Sequence, residues 1–76
     1  MNSNGFPSRE AVERVRNMYP TGCRVELISM DDSYSSLTPG TKGTVRSVDD
    51  TGTVFVRWDN GSGLGVVYGV DRIRKL

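Results

Sequence analysis

The chain has no histidine and a single cysteine, Cys23. Without an imidazole, nucleophilic triads of Ser or Cys with His are excluded, and so are ordinary zinc sites. One thiol cannot close an internal disulfide, which fits a reducing compartment. With no His to activate it, Cys23 reads as a small half-buried residue entering a strand rather than as a reactive group. No run of 18 apolar residues is present, so a membrane-spanning helix is not expected. The opening Met1-Asn2-Ser3-Asn4-Gly5 lacks the basic-then-apolar order of a signal peptide, so a cytoplasmic location is expected. Excess charge is scarce as well. Ten Lys and Arg face nine Asp and Glu, a net charge of +1. Such a chain has no long-range field to draw in nucleic acid or a membrane surface, although a local basic patch is allowed.

What is present is short and turn-rich. Seventy-six residues make one domain. At that size folding buries only about 60% of the unfolded surface, so each large apolar residue counts. Hydrophobic residues form 36% of the chain and charged ones 25%, the balance of a globular protein. Nine glycines point to many turns or bulges and hence to a β-dominated fold.

Residues 1–7 are polar and expected to fray. Ser8 is placed to cap a helix over residues 8–19, with Ala11, Val12, Val15, Met18 and Tyr19 forming one apolar stripe. Glu10 and Arg14 stand at favourable spacing for an ion pair. Such a helix is too short to stand alone in water, so its stripe docks on the rest of the chain or is left for a partner or self-association. Pro20-Thr21-Gly22 ends it. A first strand, Arg24 to Ser29, sends Val25 and Leu27 inward. The polar stretch from Met30 to Thr38 is too long for a tight turn and reads as a loop of the kind that carries function. Pro39-Gly40 makes a turn, and a second strand runs from Thr44 to Asp49. Val45 and Val48 are three apart, so a β-bulge or a sharp bend must bring both inward.

Asp50-Thr51-Gly52 reads as a hairpin turn with Gly52 at positive φ. Thr53-Val54-Phe55-Val56-Arg57-Trp58 is the clearest strand. Val54, Val56 and Trp58 share the core face, and Phe55 and Arg57 share the other. Asn60-Gly61 turns the chain into a fourth strand over Leu64 to Tyr68, Gly69-Val70-Asp71 supplies a kink, and Arg72 to Leu76 closes with Ile73 inward. Five short strands with a long first loop, two tight hairpins and a turn before the last strand describe a mainly β fold. The expected form is a small SH3-like five-stranded barrel over residues 20–76, preceded by the one short helix. An OB-type barrel needs a longer helical crossover.

Few residues suggest chemistry. Asp31-Asp32 and Asp49-Asp50 read as loop charges or local caps. Asp59-Asn60-Gly61-Ser62-Gly63 places glycine where a calcium loop needs ligands. Neither Gly61-x-Gly63-x-Gly65 nor Gly40-Thr41-Lys42-Gly43 has the context of a nucleotide-binding loop. No catalytic, metal-ligating or cofactor-binding residue is therefore assigned, and a binding module is expected rather than an enzyme. Two surfaces compete for the partner, with protein or peptide binding the first reading and nucleic acid the alternative. A protein or peptide would use the long loop, Asp31 to Leu37, with Tyr34 and Tyr68. A nucleic acid or other anion would use Arg46, Phe55 and Arg57, extended by Arg72, Arg74 and Lys75. If the hairpin closes around Thr51-Gly52, Val45 pairs with Trp58 and Arg46 lies opposite Arg57. Those like charges then need either an anion or a neighbouring carboxylate, Asp49 or Asp59, between them.

The string Thr21-Gly22-x-Arg24-Val25-Glu26-Leu27-x-x-Met30-Asp31-Asp32, then Pro39-Gly40-Thr41-Lys42-Gly43-Thr44-Val45, resembles a small bacterial family of domains of unknown function. The likeness continues through Val48-Asp49-Asp50-x-Gly52, Trp58-Asp59-Asn60-Gly61-Ser62-x-Leu64 and Gly69-Val70-Asp71-x-x-Arg74-Lys75. It implies a stand-alone small protein of Gram-positive gut or soil bacteria, often carried on mobile elements. The chain departs from the pattern at Ser33, where the family often has Pro, and at Tyr68, where a Pro or small residue is usual. More distantly, Gly43-Thr44-Val45 and Val56-x-Trp58-Asp59-Asn60-Gly61-Ser62 resemble the SH3-like Mind bomb/Herc domain. That likeness implies the barrel and, by analogy only, peptide binding.

Overall fold

The structure, a computed structural model, describes residues 8–30, 37–67 and 70–76. It contains α1 (Arg9–Met18), β1 (Arg24–Ser29), β2 (Lys42–Val48), β3 (Thr53–Trp58), β4 (Gly65–Val67) and β5 (Arg72–Lys75). The expected flexible segment, residues 1–7, lies outside the described residues. All strands pair antiparallel in one sheet of order β4-β3-β2-β1-β5. The fold is therefore mainly β with one short helix. Among the described residues no pairing joins β4 to β5, and the sheet is open between them.

α1 starts where Ser8 Oγ accepts the Ala11 N–H at 3.1 Å. Its stripe is spent on the chain's own core: Val12 and Val15 are buried, while Met18 faces outward. The helical ion pair that forms is Glu13–Arg16 at 3.2 Å, not Glu10–Arg14. Arg16 also ties α1 to the β2–β3 hairpin. Its guanidinium donates to the Val48 carbonyl at 3.2 and 3.3 Å and to Asp50 at 3.0 Å.

The inward faces of the strands supply the core: Val25 and Leu27 of β1, Val45 of β2, Val54, Val56 and Trp58 of β3, and Val66 of β4. Ile73 of β5 is only half-buried against Leu27. The sequence places Leu37 in the long polar loop offered to a partner, yet it is 7% exposed and packed in this core. A lone Leu among polar neighbours carries no period, so its direction could not be read. Trp58 is 1% exposed, and its indole N–H donates to the Leu64 carbonyl at 3.0 Å. Its ring lies against the β2 backbone at Gly43, where an added methyl group would fall 2.9 Å from Trp58 Cε3 and 2.6 Å from Val56 Cγ1. A side chain at 43 and the indole cannot share that space.

The β2–β3 register differs from the expected one. Val45 pairs with Val56, Thr44 with Arg57 and Gly43 with Trp58. The hairpin closes one position earlier than expected, and a bulge at Arg46 takes up another. A shift of two positions leaves every inward residue inward, because the side-chain period is two. The bulge also resolves the three-residue spacing of Val45 and Val48, since Val48 pairs with Val54 beyond it.

Both hairpins share one construction. Gly52 N–H donates to Asp49 O at 3.0 Å and Asp49 N–H to Thr53 O at 3.1 Å. In the same way Gly61 N–H donates to Trp58 O at 2.9 Å and Trp58 N–H to Ser62 O at 2.8 Å. Gly52 and Gly61 take positive φ, +82° and +94°, with no non-glycine residue doing so among the described residues. The second turn is therefore formed by Asp59-Asn60 with Gly61 as the left-handed bulge residue, rather than by Asn60-Gly61. Asn60 Oδ1 braces it by accepting the Ser62 N–H at 2.9 Å. Gly40, at φ +93°, donates its N–H to Leu27 O at 2.8 Å and brings the chain back onto β1.

Candidate functional site

Alternation sends Arg24 and Glu26 of β1, Lys42 and Thr44 of β2, and Phe55 and Arg57 of β3 to the face opposite the core. The pairings order them into rows. Arg74 of β5, Glu26 and Lys42 are successive partners, and Asp59 N–H donates to Lys42 O at 2.8 Å at the row's end. This row alternates in sign. Arg74 is held by Glu26, with Nη2 2.7 Å from Oε1. The next row is Arg24, Thr44 and Arg57. Beyond it Phe55 pairs with Ser47 on one side and with Gly65 on the other.

In the second row the charges are shared unequally. Arg24 crosses β2 and grips Asp59 with two bonds, Nη1–Oδ1 at 2.8 Å and Nη2–Oδ2 at 2.6 Å. Its Nη1 also donates to Thr44 Oγ1 at 3.1 Å, so the Thr44 hydroxyl proton remains available to another acceptor. The hydrogen bonds and charge of Arg24 hold the Asp59 carboxyl below the usual carboxylate range, and the Lys42 charge adds to this. Asp49 is committed too. Its Oδ1 accepts the Thr51 hydroxyl at 2.6 Å and the N–H groups of Thr51 and Thr53 at 2.9 and 3.0 Å. Those bonds, the Thr51 hydroxyl foremost, lower its proton affinity against a smaller opposing effect of burial. Asp50 is taken by Arg16. The two carboxylates expected to neutralise Arg46 and Arg57 thus have other partners. Among the described residues neither Arg46 nor Arg57 has an ion pair, and both are exposed.

Arg46 and Arg57 do not face each other, as the expected register had it, because Thr44 stands opposite Arg57. Arg46 is the extra residue of the bulge, and with Ser47 it opposes Phe55. Arg46, Phe55 and Arg57 are still gathered at one place on the β2–β3 pair. Phe55 is 38% exposed. A methyl group at Gly65 would come within 3.2 Å of Phe55 Cε1 and 3.3 Å of Cδ1, so that edge of the ring lies beside the bare β4 backbone. Arg72, Arg74 and Lys75 are not brought there. They lie on β5, separated from β3 by β2 and β1.

Tyr34 and Tyr68, the aromatic pair of the peptide reading, lie outside the described residues. Leu37 at the end of that loop is buried and does not offer a contact. A cleft of about 560 Å³ runs along the helix–hairpin seam, lined by Arg9, Val12, Glu13, Arg16 and Asp50. Its charges include the Arg16 ion pairs just described, which belong to helix docking. Among the described residues no group of three or more His, Cys, Asp or Glu converges as metal ligands, and no helix is long and apolar enough to cross a membrane. Sequence reasoning missed Arg24 and Thr44 at this face. Arg24 and Asp59 are 35 positions apart, and only the pairing of β1, β2 and β3 brings them together.

Fold and face together define a small, mainly β domain with a docked helix and, on its sheet, two exposed arginines without an ion pair among the described residues. The chain belongs to the DUF4314 family, a domain of unknown function, whose sequence profile matches residues 8–76. The matched span takes in α1 and all five strands. Curated proteins contain no match to the chain.

Proposed function

We propose that this chain is a non-enzymatic binding module on an SH3-like barrel, and that the outward face of β3 receives an anionic ligand. The barrel reading is supported by the strand order, which places β1 between β2 and β5. It is also supported by the hydrogen bonds just before β5, where Val70 and Asp71 N–H donate to Val67 O at 3.0 and 2.8 Å. Register shifts at Arg46 and Ile28 bend β2 and β1 as a small barrel requires. The non-enzymatic reading is supported by the work the aspartates already do. Asp49 closes a hairpin and Asp59 holds Arg24, and both carboxyls are depressed away from the range of a general acid at neutral pH.

One observation carries the ligand class. Arg57 stands exposed mid-sheet beside Phe55, and its nearest carboxylate along the strand, Asp59, is held at both oxygens by Arg24. A cation in that position gains from an added anion, and the Thr44 hydroxyl supplies a second donor. Titration with tripolyphosphate at low salt, followed by amide and arginine side-chain NMR shifts, tests this reading. Changes centred on Thr44, Arg46, Phe55 and Arg57 are expected. Saturable binding elsewhere, or none at all, would overturn it.

A protein or peptide partner is the second reading. It is favoured by Val67 on the edge strand β4 and by the adjoining Val70, which are 44% and 55% exposed. A partner lost on Val67→Asp but kept by Arg57→Gln would identify that mode.

A further inference from the structure

We infer that the anion taken by this face is single-stranded nucleic acid, with a base stacked on Phe55 and backbone phosphates at Arg57 and Arg46. This rests on the anion-binding reading above and assigns its ligand.

The Cδ1–Cε1 edge of Phe55 lies beside the bare backbone at Gly65, and the residue is 38% exposed on the outward face of the sheet. The missing side chain at Gly65 leaves room for the ring to lie along the sheet, where a flat apolar surface is available for stacking. An acidic side chain would satisfy Arg57 and leave this platform without a role. A nucleotide uses both, because every base has a flat face and every linkage a phosphate.

Placement fits the same ligand. Phe55 and Arg57 are alternate residues of one strand, about 6.6 Å apart along it. Arg46, the exposed extra residue of the bulge, stands across the strand pair next to Ser47, the partner of Phe55. The platform is thus flanked by cations on two sides, as a base is flanked by phosphates in a single strand. A duplex keeps its base faces covered and could use only the arginines. With a net charge of +1 there is little long-range attraction, so these local contacts must supply the affinity.

The test measures anisotropy of labelled oligothymidylate and oligouridylate over a salt series. Oligoglutamate of equal charge serves as the competing polyanion. Two phosphate contacts to a single strand give a log–log salt slope of about −1.4. Arg57→Gln and Arg46→Gln are each expected to flatten it by about 0.7. Phe55→Ala is expected to weaken binding about tenfold at every salt concentration without altering the slope, and Phe55→Trp to retain it. Amide spectra of each variant confirm that the sheet is intact, and Phe55→Leu, apolar but without a π-face, preserves the test should Phe55→Ala unfold, since it too is expected to weaken binding.

If oligoglutamate binds as well as the oligonucleotides, or if Arg57→Gln weakens binding while Phe55→Ala and Phe55→Trp match wild type, the nucleic-acid assignment falls and the anion-binding face stands. If no polyanion binds, or if Arg57→Gln changes nothing, both fall.

Discussion

Arg24 holds Asp59 by both carboxylate oxygens, at 2.8 and 2.6 Å, across the full width of β2. This ion pair gives Arg57 its character. Asp59 follows Arg57 by two residues and would otherwise be the carboxylate to neutralise it. Exposed ion pairs contribute little to stability, so the consequence of this one lies in how charge is distributed over the sheet.

Acid should weaken the fold through Asp49 and Asp59. Both carboxyls have folded-state proton affinities below their ordinary values, Asp49 chiefly through the Thr51 hydroxyl and Asp59 chiefly through Arg24. A depressed carboxyl stabilises the fold fully above its unfolded value, about pH 4. That contribution is lost as the pH falls through the lower folded value. Asp49→Asn keeps an oxygen acceptor for the Thr51 and Thr53 amides and removes the charge. Its melting temperature is expected to lie below wild type at neutral pH and to converge on it in acid. A gap that stays constant with pH would contradict the assignment.

Gly43→Ala should cost about 1 to 3 kcal/mol through overpacking. Its new methyl would meet Val56 Cγ1, the Arg57 carbonyl oxygen and Trp58 Cε3 at 2.6, 2.9 and 2.9 Å. At Gly65 the neighbours are Thr53 Cγ2 and the Phe55 ring, side-chain atoms at the surface that can give way. Gly65→Ala is expected to cost less. Urea denaturation of the two variants checks the order.

Val15→Ala should cost about 2 kcal/mol and lower the stability of the whole molecule, because Val15 packs in the same core as Val25, Val45 and Trp58. Tryptophan fluorescence and helical circular dichroism are expected to lose their signals in one transition, with the midpoint shifted equally for both. A helix that melts first, leaving the Trp58 signal unchanged, would show that α1 is an appendage.

The features legible in the sequence were those set by local pattern. Val54, Val56 and Trp58 alternate, so their common inward face followed from the strand period. Asp-x-Gly after Asp49 marked a turn with a left-handed residue at Gly52. Val45 and Val48 broke the period and so implied a bulge or a sharp bend, of which the bulge is found. What could not be read depended on long-range pairing. The register of β2 on β3 rested on a turn one residue out and on the place of the bulge. The burial of Leu37 had no local signature. Arg46, Phe55 and Arg57 were recognised as a group from their phase, but the fate of Asp59 required knowing which arginine stood two strands away. Charge compensation is a property of the folded sheet, and composition reports only its sum.

The most direct measurement compares oligothymidylate affinity in wild type, Arg24→Gln and the double variant Arg24→Gln with Asp59→Asn. Releasing Asp59 should turn its carboxylate toward Arg57 and weaken binding. Neutralising it in the double variant should restore most of the lost affinity, although Arg24 is still missing. Recovery on adding Asp59→Asn is the result expected if Asp59, once free, competes for Arg57. Equal affinities for Arg24→Gln and the double variant would contradict the account, because Arg57 would then be indifferent to the carboxylate that Arg24 withholds.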